Sequence, residues 1–112
     1  MRNMSFSLTK DPMYGRRKTV TRRLGWFFLR AGDVVMAVEQ ARGLKKGEQI
    51  KQIYPIEIVS VRTEPLMDVT QEDLILEGFP EMTVSEFVIM FCASHKGCKP
   101  ETVVNRIEFR PQ

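Results

Sequence analysis

The nine residues from Gly15 to Arg23 read Gly-Arg-Arg-Lys-Thr-Val-Thr-Arg-Arg, and five of them are basic. If Thr19 to Arg23 is extended, Thr19, Thr21 and Arg23 share one face and Val20 and Arg22 share the other. Lys18 then stands where that strand begins. A hydroxyl beside an ammonium and guanidinium groups suits a site that grips a phosphate or polarises a carbonyl. The same run also fits a β-favouring Thr-Val-Thr segment flanked by solubilising charge, and residue types alone leave both readings open.

Two further groups invite chemistry. Cys92, His95 and Cys98 form C-x2-H-x2-C, but only three donors lie close together and His95 is the sole histidine. Structural zinc sites normally use four thiolate or imidazole donors. The expectation is therefore no metal and no cofactor, with Cys92 a small core residue and His95 and Cys98 in a loop before Pro100. Trp26, Phe27 and Phe28 could stack a base beside the basic segment. Three bulky apolar residues in a row are hard to leave in water, so core packing is expected of them.

The charge balance sharpens the question. The net charge is +3, yet Met1 to Lys51 carries 12 basic against 4 acidic residues and Gln52 to Gln112 carries 5 against 10. Positive potential concentrated on one short segment should meet an anion, or should pair with the acids of the second half. At 112 residues, 43% hydrophobic and 28% charged, the chain is expected to form one domain over 1–112 with its own core. No apolar run approaches the roughly 20 residues needed to cross a bilayer, so no membrane partner is expected. Two cysteines without a signal-like stretch point to a reducing, cytoplasmic setting.

The elements that must position these residues follow from local pattern. Met4 to Leu8 alternates as a half-buried strand, and Thr9 or Asp11 could cap a short helical turn containing Pro12 and ended by Gly15. Val34 to Gln40 reads as a strand, 42–51 as an exposed loop, and Ile50 to Thr63 as a long strand with Pro55 marking a bulge or an edge. Thr70 caps a helix that Gly78 ends, and Thr83 with Glu86 forms a capping box. Val84, Phe87, Val88 and Phe91 give that second helix one apolar face as far as about Ala93. Val103 to Phe109 alternates as a closing strand. The class is α+β, a small, mostly antiparallel sheet expected to curl into a barrel with helices at its rim.

Gly15 to Arg23, then Gly32-Asp33, Leu66-Met67-Asp68-Val69-Thr70, Leu76-Glu77-Gly78-Phe79 and Pro100 to Phe109 occur in an order that resembles the ASCH domain family over nearly the whole chain. The resemblance implies a PUA-like β-barrel, in a superfamily many of whose members engage RNA or modified nucleosides. Within the family, bacterial N4-acetylcytidine amidohydrolases use a lysine, a threonine and a glutamate. Their lysine matches Lys18, their threonine Thr21, and their glutamate best matches Glu77. Arg17 and Arg22-Arg23 make this loop more basic than theirs, and Glu77-Gly78-Phe79 follows the general ASCH form.

The trio makes chemical sense. A threonine hydroxyl attacks only once a base takes its proton, a carboxylate can take it, and a lysine steadies charge growing on the attacked carbonyl. The same three groups could also only bind. The expectations are thus an RNA or modified-nucleoside binder using Arg16, Arg17, Lys18, Thr19, Arg22 and Arg23, with or without hydrolysis through Lys18, Thr21 and Glu77. The alternatives are an amidohydrolase on an N4-acylated cytidine, a metal-independent ribonuclease, and a module whose basic face docks an acidic protein partner.

Overall fold

The computed structural model describes residues 1–112. In chain order the elements are β1 (Asn3–Ser5), α1 (Lys10–Tyr14), β2 (Val20–Arg23), β3 (Val34–Val38), β4 (Gln52–Pro65), a 3-10 turn (Leu66–Asp68), α2 (Gln71–Glu77), α3 (Val84–Ser94) and β5 (Val103–Pro111). They build one five-stranded sheet in the order β1-β3-β4-β5-β2. Only the β1–β3 pair is parallel.

The sheet is mixed, as expected, but it is open and not a closed barrel. β1 and β2 form its two edges and share no ladder. The reason lies in β1, which is only three residues long before the chain leaves for α1. Met4 and Phe6 are buried, but Leu8 is exposed, so the alternation that suggested a strand to Leu8 ends early. One side chain crosses the seam: Arg23 Nη2 donates to Ser5 O at 2.5 Å.

β4 supplies the curvature. Its register shifts between Ile58 and Ser60, a bulge that bends the long strand across β3 and β5. Pro55 lies in this central strand, not at an edge. Its carbonyl accepts from Gln112 N, and a residue's N–H and C=O point to the same side of a strand. The missing N–H therefore faces the last residue of the β5 side, where little ladder remains to be lost.

Alternation along β5 divides the core in two. Ile107 and Phe109 join Met4, Phe6, Met13, Val35, Ala37, Ile56 and Ile58 in one cluster, whereas Val104 joins Leu66, Leu74, Phe87, Val88 and Phe91 in another under α2 and α3. Each large side chain buried this way stabilises the fold by about 1.5–3 kcal/mol. Leu29 takes the core position in the 24–29 segment and Trp26 packs beside it, while Phe27 and Phe28 are about half exposed. The expected burial of all three aromatics is thus corrected, because consecutive residues in a loop cannot all face one cluster.

The helix ends follow local chemistry. Thr70 Oγ1 accepts from Asp73 N at 3.1 Å, and Thr83 and Glu86 exchange both capping-box bonds. Gly78 ends α2 at φ +93°, left-handed backbone that glycine adopts without strain. Thr9 precedes α1 but makes no capping bond with its side chain. No helix is long and apolar enough to cross a membrane.

Candidate functional site

The seam between β1 and β2 is also where the main cleft opens, with a volume of about 250 Å³. Its β1 side carries Ser5, Phe6, Ser7 and Thr9, its β2 side Lys18, Thr21, Arg22 and Arg23, and its helical side Glu77, Phe79 and residues of α3. Lys18, Thr21 and Glu77 all line this cleft, each no more than 4% exposed, with Lys18 bonded to Glu77 and Thr21 to Arg23.

Backbone contacts explain the meeting. The end of α1 holds the basic segment through Pro12 O, which accepts from Arg17 N and Lys18 N. Thr19 N donates to Leu76 O at 2.9 Å, which ties the segment to the last turn of α2 and sets Lys18 beside Glu77. Lys18 Nζ then donates to Glu77 O at 2.6 Å and lies 3.4 Å from Glu77 Oε1. It also lies 5.6 Å from the Phe79 ring centroid and 5.9 Å from that of Phe6. Burial lowers the Lys18 pKa to about 8; Glu77 opposes that shift and the Arg23 charge adds to it.

The cation that the alternation assigned to the far face of β2 has a structural role. Arg22 donates to Glu77 Oε2 at 2.8 Å, Asp73 Oδ2 at 2.7 Å and Glu64 Oε2 at 3.0 Å. Asp73 also accepts from Arg106 Nε at 2.8 Å and Nη2 at 3.0 Å. These bonds, those from Arg106 foremost, hold the Asp73 pKa at about 2 against the opposing effect of burial. Arg22 is thus paired with acids of the second half, as one reading of the charge asymmetry expected, but under cover and not in solvent.

Thr21 and Arg23 share a face, as the alternation requires. Arg23 Nε donates to Thr21 Oγ1 at 3.1 Å, and the guanidinium carbon sits 4.7 Å from the Phe6 ring centroid. Burial lowers the Arg23 pKa to about 10. Directly across the ladder, Asn105 is fully buried, and neither end of its amide has a protein partner.

The rest of the basic segment lies apart from the cleft lining. Arg16 is exposed at φ +57° with its guanidinium 4.8 Å from the Tyr54 ring centroid, and Arg17 pairs with Asp11 at 2.8 Å in solvent. Thr19 contributes its backbone to the tie with α2 and to Phe109 N. The six residues expected to form one binding strip are divided: Lys18, Arg22 and Arg23 line the cleft, and the other three do not.

Sequence reasoning missed the α3 wall. Phe87, Met90, Phe91, Ser94 and His95 also line the cleft. The i, i+4 relation of Phe91 and His95 is the signal for it in the sequence, although the cysteines on either side of His95 fit a metal-ligand spacing as well. The two thiols are free and lie 3.6 Å apart.

No family model matches the sequence, and no curated protein matches it. Solved structures do resemble it. The ASCH domain from Lactobacillus crispatus JV V101 aligns at 15% identity and a TM-score of 0.60, over 98% of this chain and 79% of that one. Hypothetical protein PH0355 aligns at 13% identity and a TM-score of 0.71 over the whole of both chains. A DUF984 protein from Enterococcus faecalis V583 aligns at 16% identity and a TM-score of 0.59, over 89% of this chain and 67% of that one. The chain has the fold of the ASCH domain.

Proposed function

We propose that the cleft binds a modified nucleoside and hydrolyses an N-acyl amide on its base. The observation that carries this reading is the convergence of buried Lys18, Thr21 and Glu77 on one open cleft. The resemblance of their sequence segments to the N4-acetylcytidine amidohydrolases and the shared ASCH fold support it. The distribution of charge favours a compact ligand over an extended polyanion. Arg22 is engaged by three carboxylates, Arg23 spans the seam, and Arg17 is already paired.

In this reading Thr21 is the nucleophile. Its oxygen accepts from Arg23 Nε, a group with nothing to accept in return, so the hydroxyl proton is free to go to a base. Arg22 holds Glu77 Oε2 at 2.8 Å, whereas Oε1 has only the longer 3.4 Å contact to Lys18 and is the oxygen that takes that proton. The Thr21 oxygen bonds to the acyl carbon, and the Lys18 ammonium steadies the oxyanion. The C–N bond then breaks as the base nitrogen takes up a proton, and water cleaves the acyl ester, giving a free amine and a carboxylic acid.

Incubation with N4-acetylcytidine, longer N4-acyl cytidines and short RNA, followed by mass spectrometry of the products, tests the proposal. Loss of the acyl group from the nucleosides with the RNA chain uncut is the expected result. Cleaved RNA with untouched acyl nucleosides would overturn it.

A further inference from the structure

The cleft has two unlike sides. Beyond Lys18 and Glu77, four aromatic rings follow one another along the helical side, beginning with Phe79, whose ring centroid lies 5.6 Å from Lys18 Nζ. Phe79 and Phe87 lie 5.8 Å apart by ring centroids, Phe87 and Phe91 6.1 Å, and Phe91 and His95 4.1 Å with planes only 12° apart. All four line the cleft. Phe87 and Phe91 are almost wholly buried and form the floor of this row, so the ring faces left for a flat ligand to stack on are those of the partly exposed Phe79 and His95.

The last ring adds direction. His95 Nδ1 lies 2.9 Å from Phe91 O, and a carbonyl oxygen can only accept, so Nδ1 carries the hydrogen. In the neutral imidazole the lone pair is then on Nε2, which makes no hydrogen bond within the protein. The stack on Phe91 and the Nδ1 bond together fix the ring's orientation. The cleft thus ends in an oriented acceptor beside an aromatic surface.

We infer that the α3 wall is a ring-binding subsite in which His95 accepts a hydrogen bond from a planar heteroaromatic ligand bearing an N–H or O–H donor. The inference rests on the nucleoside reading above and makes His95 a specificity-determining residue for it. The base lies along His95, which Phe91 backs, and the acyl carbonyl lies towards Lys18 and Thr21. An aliphatic amide can occupy only the second of these places.

His95 is the sole histidine, so its ring resonances are unambiguous in NMR spectra. The experiment titrates the full chain with cytidine, N4-acetylcytidine and N-methylacetamide, with binding also followed by calorimetry. Both nucleosides should move the His95 ring protons, and N-methylacetamide should not. His95→Phe keeps a ring for stacking and removes the acceptor, so it should raise Kd for cytidine about five-fold, the scale of one neutral hydrogen bond. With N4-acetylcytidine as substrate, the same variant should raise KM and leave kcat unchanged, a split that a loss of folding would not give. Nucleoside binding that leaves the His95 resonances still, with His95→Phe at wild-type affinity, overturns this inference alone. If neither nucleoside binds or is cut, the proposed function falls and the inference falls with it.

Discussion

Arg22 Nη1 lies 2.8 Å from Glu77 Oε2, and both side chains are almost wholly buried. One of the cations expected to meet a ligand is therefore the group that fixes the proposed base. The pairing extends to Asp73 and Glu64, so a single guanidinium organises three carboxylates from β4 and α2. Replacing Arg22 by Met should cost about 3–5 kcal/mol, the scale for stranding buried charge. Denaturant unfolding measures it, and Arg22→Lys, which offers one nitrogen where Arg22 uses two separated ones, should fall between.

Asp73 gives the fold an acid limit. Its folded pKa of about 2 lies below the ordinary value of 3.8, so its stabilising contribution is complete above about 4 and is lost as pH falls towards 2. Unfolding titrations through that window should show wild type losing stability that Asp73→Asn never had. The variant should be the weaker protein at pH 7, with the difference narrowing as pH falls.

Lys18 gives a slope of the same sign in an alkaline window, although here the charged form is the one that burial penalises. Its folded pKa of about 8 lies below the ordinary 10.5, so between those values the unfolded chain binds the extra proton. Burying the ammonium costs most below about 8, and stability should rise with pH from there towards 10.5. Lys18→Met should flatten that rise in a pH series of unfolding curves. If the charged form serves the reaction, kcat/KM for an N-acyl nucleoside should fall as pH passes about 8.

Gly78 couples α1 to α2. At φ +93° any side chain is strained, and a Cβ there would lie 2.9 Å from Pro12 Cγ. Gly78→Ala should destabilise by about 1–2 kcal/mol for the left-handed backbone alone. Because Gly78 follows Glu77, the proposed base, the thermal shift should come with a lowered kcat.

What could be read from the sequence was local. The Thr70 cap, the Gly78 stop and the Thr83–Glu86 box depend on residues a few positions apart and appear as expected. The place of Arg22 could not be read. Its partners are 42 to 55 residues away, and nothing in a run of basic residues says which of them will be covered by a helix folded from the other half. The open seam was hidden for a similar reason, since whether β1 meets β2 depends on where α1 takes the chain. That Thr21 and Glu77 line the same cleft was legible only through resemblance to other sequences. For His95 the flanking cysteines suggested a ligand set, whereas its actual neighbour is the Phe91 ring one helical turn back.

Whether the Thr21 oxygen does the attacking is decided by kcat/KM of Thr21→Val on N4-acetylcytidine. Valine keeps the volume and β preference of the site and removes only the hydroxyl. The loss should be roughly 10³-fold or more, since removing a nucleophile costs far more than removing a binding contact, with the unfolding midpoint close to wild type. Turnover within tenfold of wild type in a folded Thr21→Val protein would contradict the account.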